Sequence, residues 1–91
     1  MKINKLLEII KDRKLKMPKD SYVASLLRTG QDRIIQKLGE ETIEVTIAVK
    51  NKNKKRIVSE VSDLLFHLLI LIVSSDITLS DIEKELESRN R

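Results

Sequence analysis

The chain has 91 residues, of which 41% are hydrophobic, 35% charged and 2% aromatic, with two glycines, one proline and no cysteine. That balance describes one small helical domain over residues 1–91 and excludes disulfides and thiolate metal sites. The net charge of +4 suits anionic partners, yet acids accompany the bases throughout and Tyr22 and Phe66 are the only aromatics, which speaks against a nucleic-acid reader.

The elements follow in order. Ile3, Leu6, Leu7 and Ile10 mark a first amphipathic helix from about residue 3 to 15, ended by Met17-Pro18. No secretory signal is visible there, because the opening MKINKLLEIIKDRKLK has no apolar core. Asp20 or Ser21 caps a short second helix, Tyr22 to Arg28, and Gly30 closes it. Asp32 is the expected cap of a third helix reaching Lys50, with Gly39 inside it either for a close approach or as a harmless local cost. Asn51-Lys52-Asn53 is a short turn, so the fourth helix, Lys54 to Ser75, should lie antiparallel to the third. Its apolar block Leu64–Val73 is too short to span a bilayer, and its apolar residues point in nearly every direction, which predicts a buried helix. After Asp76-Ile77-Thr78, a last helix capped by Thr78 or Ser80 runs to about Arg89, with Ser80 and Glu83 spaced as a capping box. The fold class is therefore all-α: a bundle of four to five helices around a central antiparallel pair. A chain this short cannot cover its fourth helix alone, so homodimerisation is expected to complete the bundle.

Within that central pair lies an anomaly. Ile34, Leu38, Val45 and Val49 form an apolar stripe on the third helix, and Glu41 projects close to its centre, with Glu44 beside it at i+3 and Glu40 further toward solvent. On the fourth helix Glu60, Asp63 and His67 fall on one line at i, i+3 and i+7. Counted from the turn, the two acidic pairs stand at nearly the same height, so an antiparallel hairpin should bring them together. Four carboxylates in a poorly hydrated groove must take up protons, pair with cations such as Lys37 or Arg33, or bind a cation. Oxygen-only ligands point to a hard divalent ion, Mg²⁺ with Mn²⁺ as the other choice.

These residues carry a resemblance. E-E-x-x-E at 40–44 followed by E-x-x-D at 60–63 looks like the signature of the all-α nucleoside triphosphate pyrophosphohydrolases, the MazG-like superfamily. Together with SYVASLLRTG at 21–30, KLGEE at 37–41, AVKN at 48–51, DLLFHLL at 63–69 and LSDIEKELESR at 79–89, it resembles the phosphoribosyl-ATP pyrophosphatase family over nearly all of the chain from Ser21 onward. Phe66 stands where a Tyr is more usual, which bears on a hydrogen bond rather than on metal binding.

The resemblance implies a cytoplasmic homodimer or larger homo-oligomer. It would act on the small molecule phosphoribosyl-ATP in histidine biosynthesis, with no membrane and no nucleic acid as partner. Glu41, Glu44, Glu60 and Asp63 are then the expected Mg²⁺ ligands, and Glu40 either positions the attacking water or is a solvated carboxylate. Lys37 meets a phosphate or pairs with Glu41. Lys50, Asn51, Arg28 and the Lys54–Arg56 cluster are weaker phosphate candidates that also read as solvated surface. His67 touches substrate, supports a metal-bound carboxylate or is a satisfied helix contact. Two alternatives remain in view: a house-cleaning enzyme of the same superfamily acting on (deoxy)nucleoside triphosphates, and a non-enzymatic basic dimer that binds nucleic acid.

Overall fold

In the computed structural model, which describes residues 1–90, the chain folds as five α-helices. Helix α1 (Ile3–Lys16) ends where Met17 turns left-handed, at φ 48°, and donates its N–H to the Arg13 carbonyl at 2.8 Å. Helix α2 (Tyr22–Thr29) begins at Ser21, whose hydroxyl accepts from the Ala24 N–H at 3.1 Å.

Gly30, at φ 107°, closes α2 and opens α3 (Gln31–Lys50) in one residue. The expected cap Asp32 therefore lies inside the first turn of α3, where its charge still complements the helix dipole. The reason is conformational: only glycine adopts that backbone shape without strain, so the chain reverses at residue 30 and is helical again at once. Gly39 has open space where a side chain would stand, so nothing packs closely against it.

Across the turn, Lys52 takes φ 56° and the Asn53 side chain accepts from the Arg56 N–H at 3.2 Å, starting α4 (Lys54–Ser74). Helix α5 (Leu79–Ser88) has its capping box two residues earlier than the Ser80–Glu83 pair. Extended Thr78 is the cap; its hydroxyl accepts from the Asp81 N–H at 3.0 Å, and the Asp81 carboxylate accepts from the Thr78 N–H at 2.9 Å.

The core sits at one end of the α3–α4 hairpin. Leu7 and Ile10 of α1, Val23 and Leu26 of α2, Ile34 of α3, and Leu69, Ile70, Ile72 and Val73 of α4 form a single cluster. Lys14 pins the end of α4 to α1, donating from Nζ to the Val73 carbonyl at 3.1 Å and to Asp76 at 2.9 Å. From Glu41 to Asp63, by contrast, only Ala48 is buried. Within one chain α4 is buried in its C-terminal half alone, where it joins the core cluster, as expected of a chain too short to cover this helix by itself. Val58 is 67% and Ile43 61% exposed, with Ile47, Val61 and Leu68 also open to solvent.

Length and apolarity would also allow α4 to cross a membrane. The placement of Glu60, Asp63 and His67 in its middle, together with the packing of its C-terminal half on α1 and α2, gives that apolarity a different use.

Candidate metal and phosphate site

Glu44 and Glu60 each lie eight residues from Lys52, and Glu41 and Asp63 each lie eleven, so the antiparallel hairpin sets the two acidic pairs at matched heights. Glu41, Glu60 and Asp63 each offer a carboxylate oxygen, and those oxygens lie within 4.8 Å of one another. The side chains of Glu41 and Glu60 are 13% and 15% exposed, while Asp63 opens to solvent and forms the mouth. Glu44 is at the right height but at the rim, since i+3 places it about 60° round the helix from Glu41. Its side chain is half exposed, and its cation partner is Arg56 at 3.9 Å.

An octahedral Mg²⁺ with ligands at about 2.1 Å needs oxygens about 3–4 Å apart. The three carboxylate oxygens, within 4.8 Å of one another, are close to that spacing, and the all-oxygen donor set is that of a hard cation. His67 adds no ligand. It is buried, its Nδ1 is 2.7 Å from the Asp63 carbonyl oxygen, and its Nε2 is 2.7 Å from the Tyr22 hydroxyl. A carbonyl only accepts, so Nδ1 carries a proton and, in the neutral ring, Nε2 accepts from Tyr22. His67 therefore stands behind Asp63, holding its main chain, rather than facing the groove.

Cations flank the cluster at both ends. Lys37, one turn before Glu41, lies 3.5 Å from both Glu41 and Glu40. Arg56, one turn before Glu60, lies 3.4 Å from Glu60. Partial burial pulls the Lys37 ammonium down, but its electrostatic interaction with Tyr22 and the bonds to Glu40 and Glu41 outweigh it and hold Lys37 above the usual lysine value. Glu40 takes a bond from the Gln36 amide at 3.1 Å, which with Lys37 keeps its carboxyl below the usual range. Glu40 is thus anionic at neutral pH and a weak base, better suited to orienting a water than to taking its proton.

The remaining candidates lie apart from this cluster. Lys50 and Asn51 sit exposed at the turn end of α3, and Arg28 donates to the Pro18 carbonyl at 3.2 Å, tying the α1–α2 connection.

The phosphoribosyl-ATP pyrophosphohydrolase family model matches residues 3–90. The chain belongs to this family. Similarity to curated relatives extends over almost the whole length. A phosphoribosyl-ATP pyrophosphatase of Leptospira biflexa is 49% identical over 86 residues, covering 94% of each chain. One from Methanosarcina barkeri is 47% identical, covering 97% of this chain and 86% of its own. The histidine biosynthesis bifunctional protein HisIE of Caldanaerobacter subterraneus is 52% identical, but the match spans 42% of that longer protein.

For this pyrophosphohydrolase family member, two side chains beside the carboxylates differ in how local spacing marks them. Tyr22 is 45 residues from His67, and no periodicity links them. Arg56 is a different case: it precedes Glu60 by four residues, the helical spacing for an ion pair, and that signal was legible.

Proposed function

We propose that this chain hydrolyses the α–β phosphoanhydride of phosphoribosyl-ATP, releasing phosphoribosyl-AMP and pyrophosphate, with Mg²⁺ as the working ion and Mn²⁺ as a substitute. The observation that carries the reading is the convergence of Glu41, Glu60 and Asp63 at one height of the α3–α4 hairpin, in a member of this family. The chemistry is that of a hydrolase acting on a phosphoric anhydride.

Glu41, Glu60 and Asp63 would hold the cation, with Glu44 joining from the rim by a rotation of its half-exposed side chain away from Arg56. The ion would supply positive charge against the phosphate oxygens and acidify the attacking water. Glu40 orients that water, and Lys37 is the nearest ammonium for a phosphate oxygen. The water oxygen bonds to phosphorus as the bridging oxygen leaves with its electron pair, and the water's proton passes to bulk solvent.

The assembly in this reading is a homodimer or larger homo-oligomer. Ile43 and Ile47 lie a turn apart on α3, and Val58, Val61 and Leu68 run down one side of α4, all exposed. A second copy would cover apolar surface that this chain leaves open. A cytoplasmic place in histidine biosynthesis, the pathway named in the bifunctional relative, belongs to the same reading.

The test is pyrophosphate release by the purified chain, comparing phosphoribosyl-ATP with the common dNTPs at saturating Mg²⁺. A higher kcat/KM for phosphoribosyl-ATP, lost on chelation, is expected. A clear preference for dNTPs would move the chain to a house-cleaning role, and turnover that ignores chelation would remove the metal.

A further inference from the structure

The two cations beside the carboxylates occupy equivalent places. Lys37 precedes Glu41 and Arg56 precedes Glu60 by one helical turn, and because the helices run in opposite directions the pairs close the groove from opposite ends. Arg56 is nearer the turn, spans Glu60 at 3.4 Å and Glu44 at 3.9 Å, and is more than half exposed at its side chain. Neither distance is that of a tight bidentate pair, so the guanidinium is lightly held.

A cation arriving at these carboxylates competes with Arg56 for the negative charge of Glu60, whose Oε1 the guanidinium faces at 3.4 Å. Once that carboxylate is engaged, the guanidinium keeps its charge and its fork of N–H donors but loses its partner. A triphosphate brought to the same groove carries several negative oxygens, and Arg56 is long enough to turn to them without moving the backbone. Lys37 is tied to two carboxylates at the other end and has less freedom.

We propose that Arg56 is a resident counter-ion that leaves Glu60 and Glu44 when a divalent cation binds and then holds a phosphate group of the substrate. The inference rests on the metal and substrate reading given above and adds a residue and an order of events to it. It also predicts an unusual pairing of effects, since one side chain opposes the metal and favours the nucleotide.

The experiment is isothermal titration of Mg²⁺ into the substrate-free protein, paired with steady-state kinetics, for wild type, Arg56→Gln and Arg56→Lys. An exposed pair of this kind is worth up to about 1 kcal/mol, so Arg56→Gln should tighten Mg²⁺ about 2- to 5-fold at low salt. The gain should shrink at 0.5 M salt, where about 4 Å of screening remains. The same variant should raise KM for phosphoribosyl-ATP about 3- to 10-fold, as expected for a lost charge-assisted contact, and Arg56→Lys should recover part of both effects. A purely structural Arg56 would weaken Mg²⁺ binding or leave it unchanged, and either result overturns the proposal, as does tighter Mg²⁺ with an unchanged KM. If wild type itself binds no Mg²⁺, the metal reading fails and takes this inference with it; if wild type binds and Arg56→Gln does not tighten, only the exchange fails.

Discussion

The Tyr22 hydroxyl lies 2.7 Å from His67 Nε2, joining the first residue of α2 to the middle of α4. The other ring nitrogen holds the carbonyl of Asp63, so one buried side chain links the α1–α2 layer to the main chain of a carboxylate in the cluster. Phe66 packs against both, its ring centroid 6.1 Å from that of Tyr22 and 5.3 Å from that of the imidazole. This contact places the acidic groove at a fixed height above the core.

Tyr22→Phe removes the hydroxyl and keeps the ring. The variant leaves Nε2 of a buried histidine without a partner, which should cost about 1–3 kcal/mol. Urea unfolding followed by circular dichroism would measure it. A loss below a few tenths of a kcal/mol would mean that water replaces the hydroxyl and that the contact is not a strut.

Neutralising Asp63 should separate metal binding from stability. Among the described residues Asp63 has no ion-pair partner, whereas Glu41 has Lys37 and Glu60 has Arg56. Asp63→Asn should abolish Mg²⁺ binding and turnover while leaving the metal-free protein as stable as wild type or more so, since a repulsion is relieved without breaking a pair. Glu41→Gln should lose the same function without that gain, because Lys37 keeps only Glu40. Calorimetric titration and thermal unfolding of both variants report the two effects. Near-normal activity in either would contradict its place in the site.

The α5 cap should depend on acid. Hydrogen bonds from the Thr78 backbone and with its hydroxyl lower the Asp81 carboxyl below its usual value. A depressed carboxylate contributes stability that is present above its unfolded pKa and is lost as pH falls through the lower folded value. Protection of the α5 amides against hydrogen exchange, measured relative to the intrinsic rate at each pH, should therefore fall below about pH 4 before that of the core amides. Thr78→Ala should speed that exchange already at neutral pH. An α5 that stays protected in acid would show that something other than the cap holds it.

A charge on the uncovered face should disturb association. Val58→Glu and Ile43→Asp lie far from the core cluster, so neither should unfold the chain. In a homodimer built on this surface they should shift sedimentation to the monomer and lower the melting temperature in a concentration-dependent way. Unchanged sedimentation in both variants would place the partner surface elsewhere, with exposed Ile82 and Leu86 on α5 next to be tested.

Local chemistry in the sequence determined where helices begin and end, to within a residue or two, because caps and breakers act over three or four positions. Ser21, the Met17-Pro18 step and the Asn51–Asn53 turn are cases in point. Where two local signals overlapped, the backbone chose between them: both Thr78-x-x-Asp81 and Ser80-x-x-Glu83 satisfy the spacing, and extended geometry at Thr78 decided it. Helical periodicity with a short turn also foretold that acids from two helices would stand level, since rise per residue is nearly constant.

Tertiary packing decided the rest. It turned Glu41, Glu60 and Asp63 into one groove and left Glu44 at the rim, although Glu41–Glu44 and Glu60–Asp63 share the same i+3 spacing and only the facing of the two helices separates them. It set Tyr22 against His67 across 45 residues, and it decided which half of α4 the chain's own core covers. Those outcomes depend on which helices are long enough to reach one another, and that is a property of the assembled volume rather than of any local stretch.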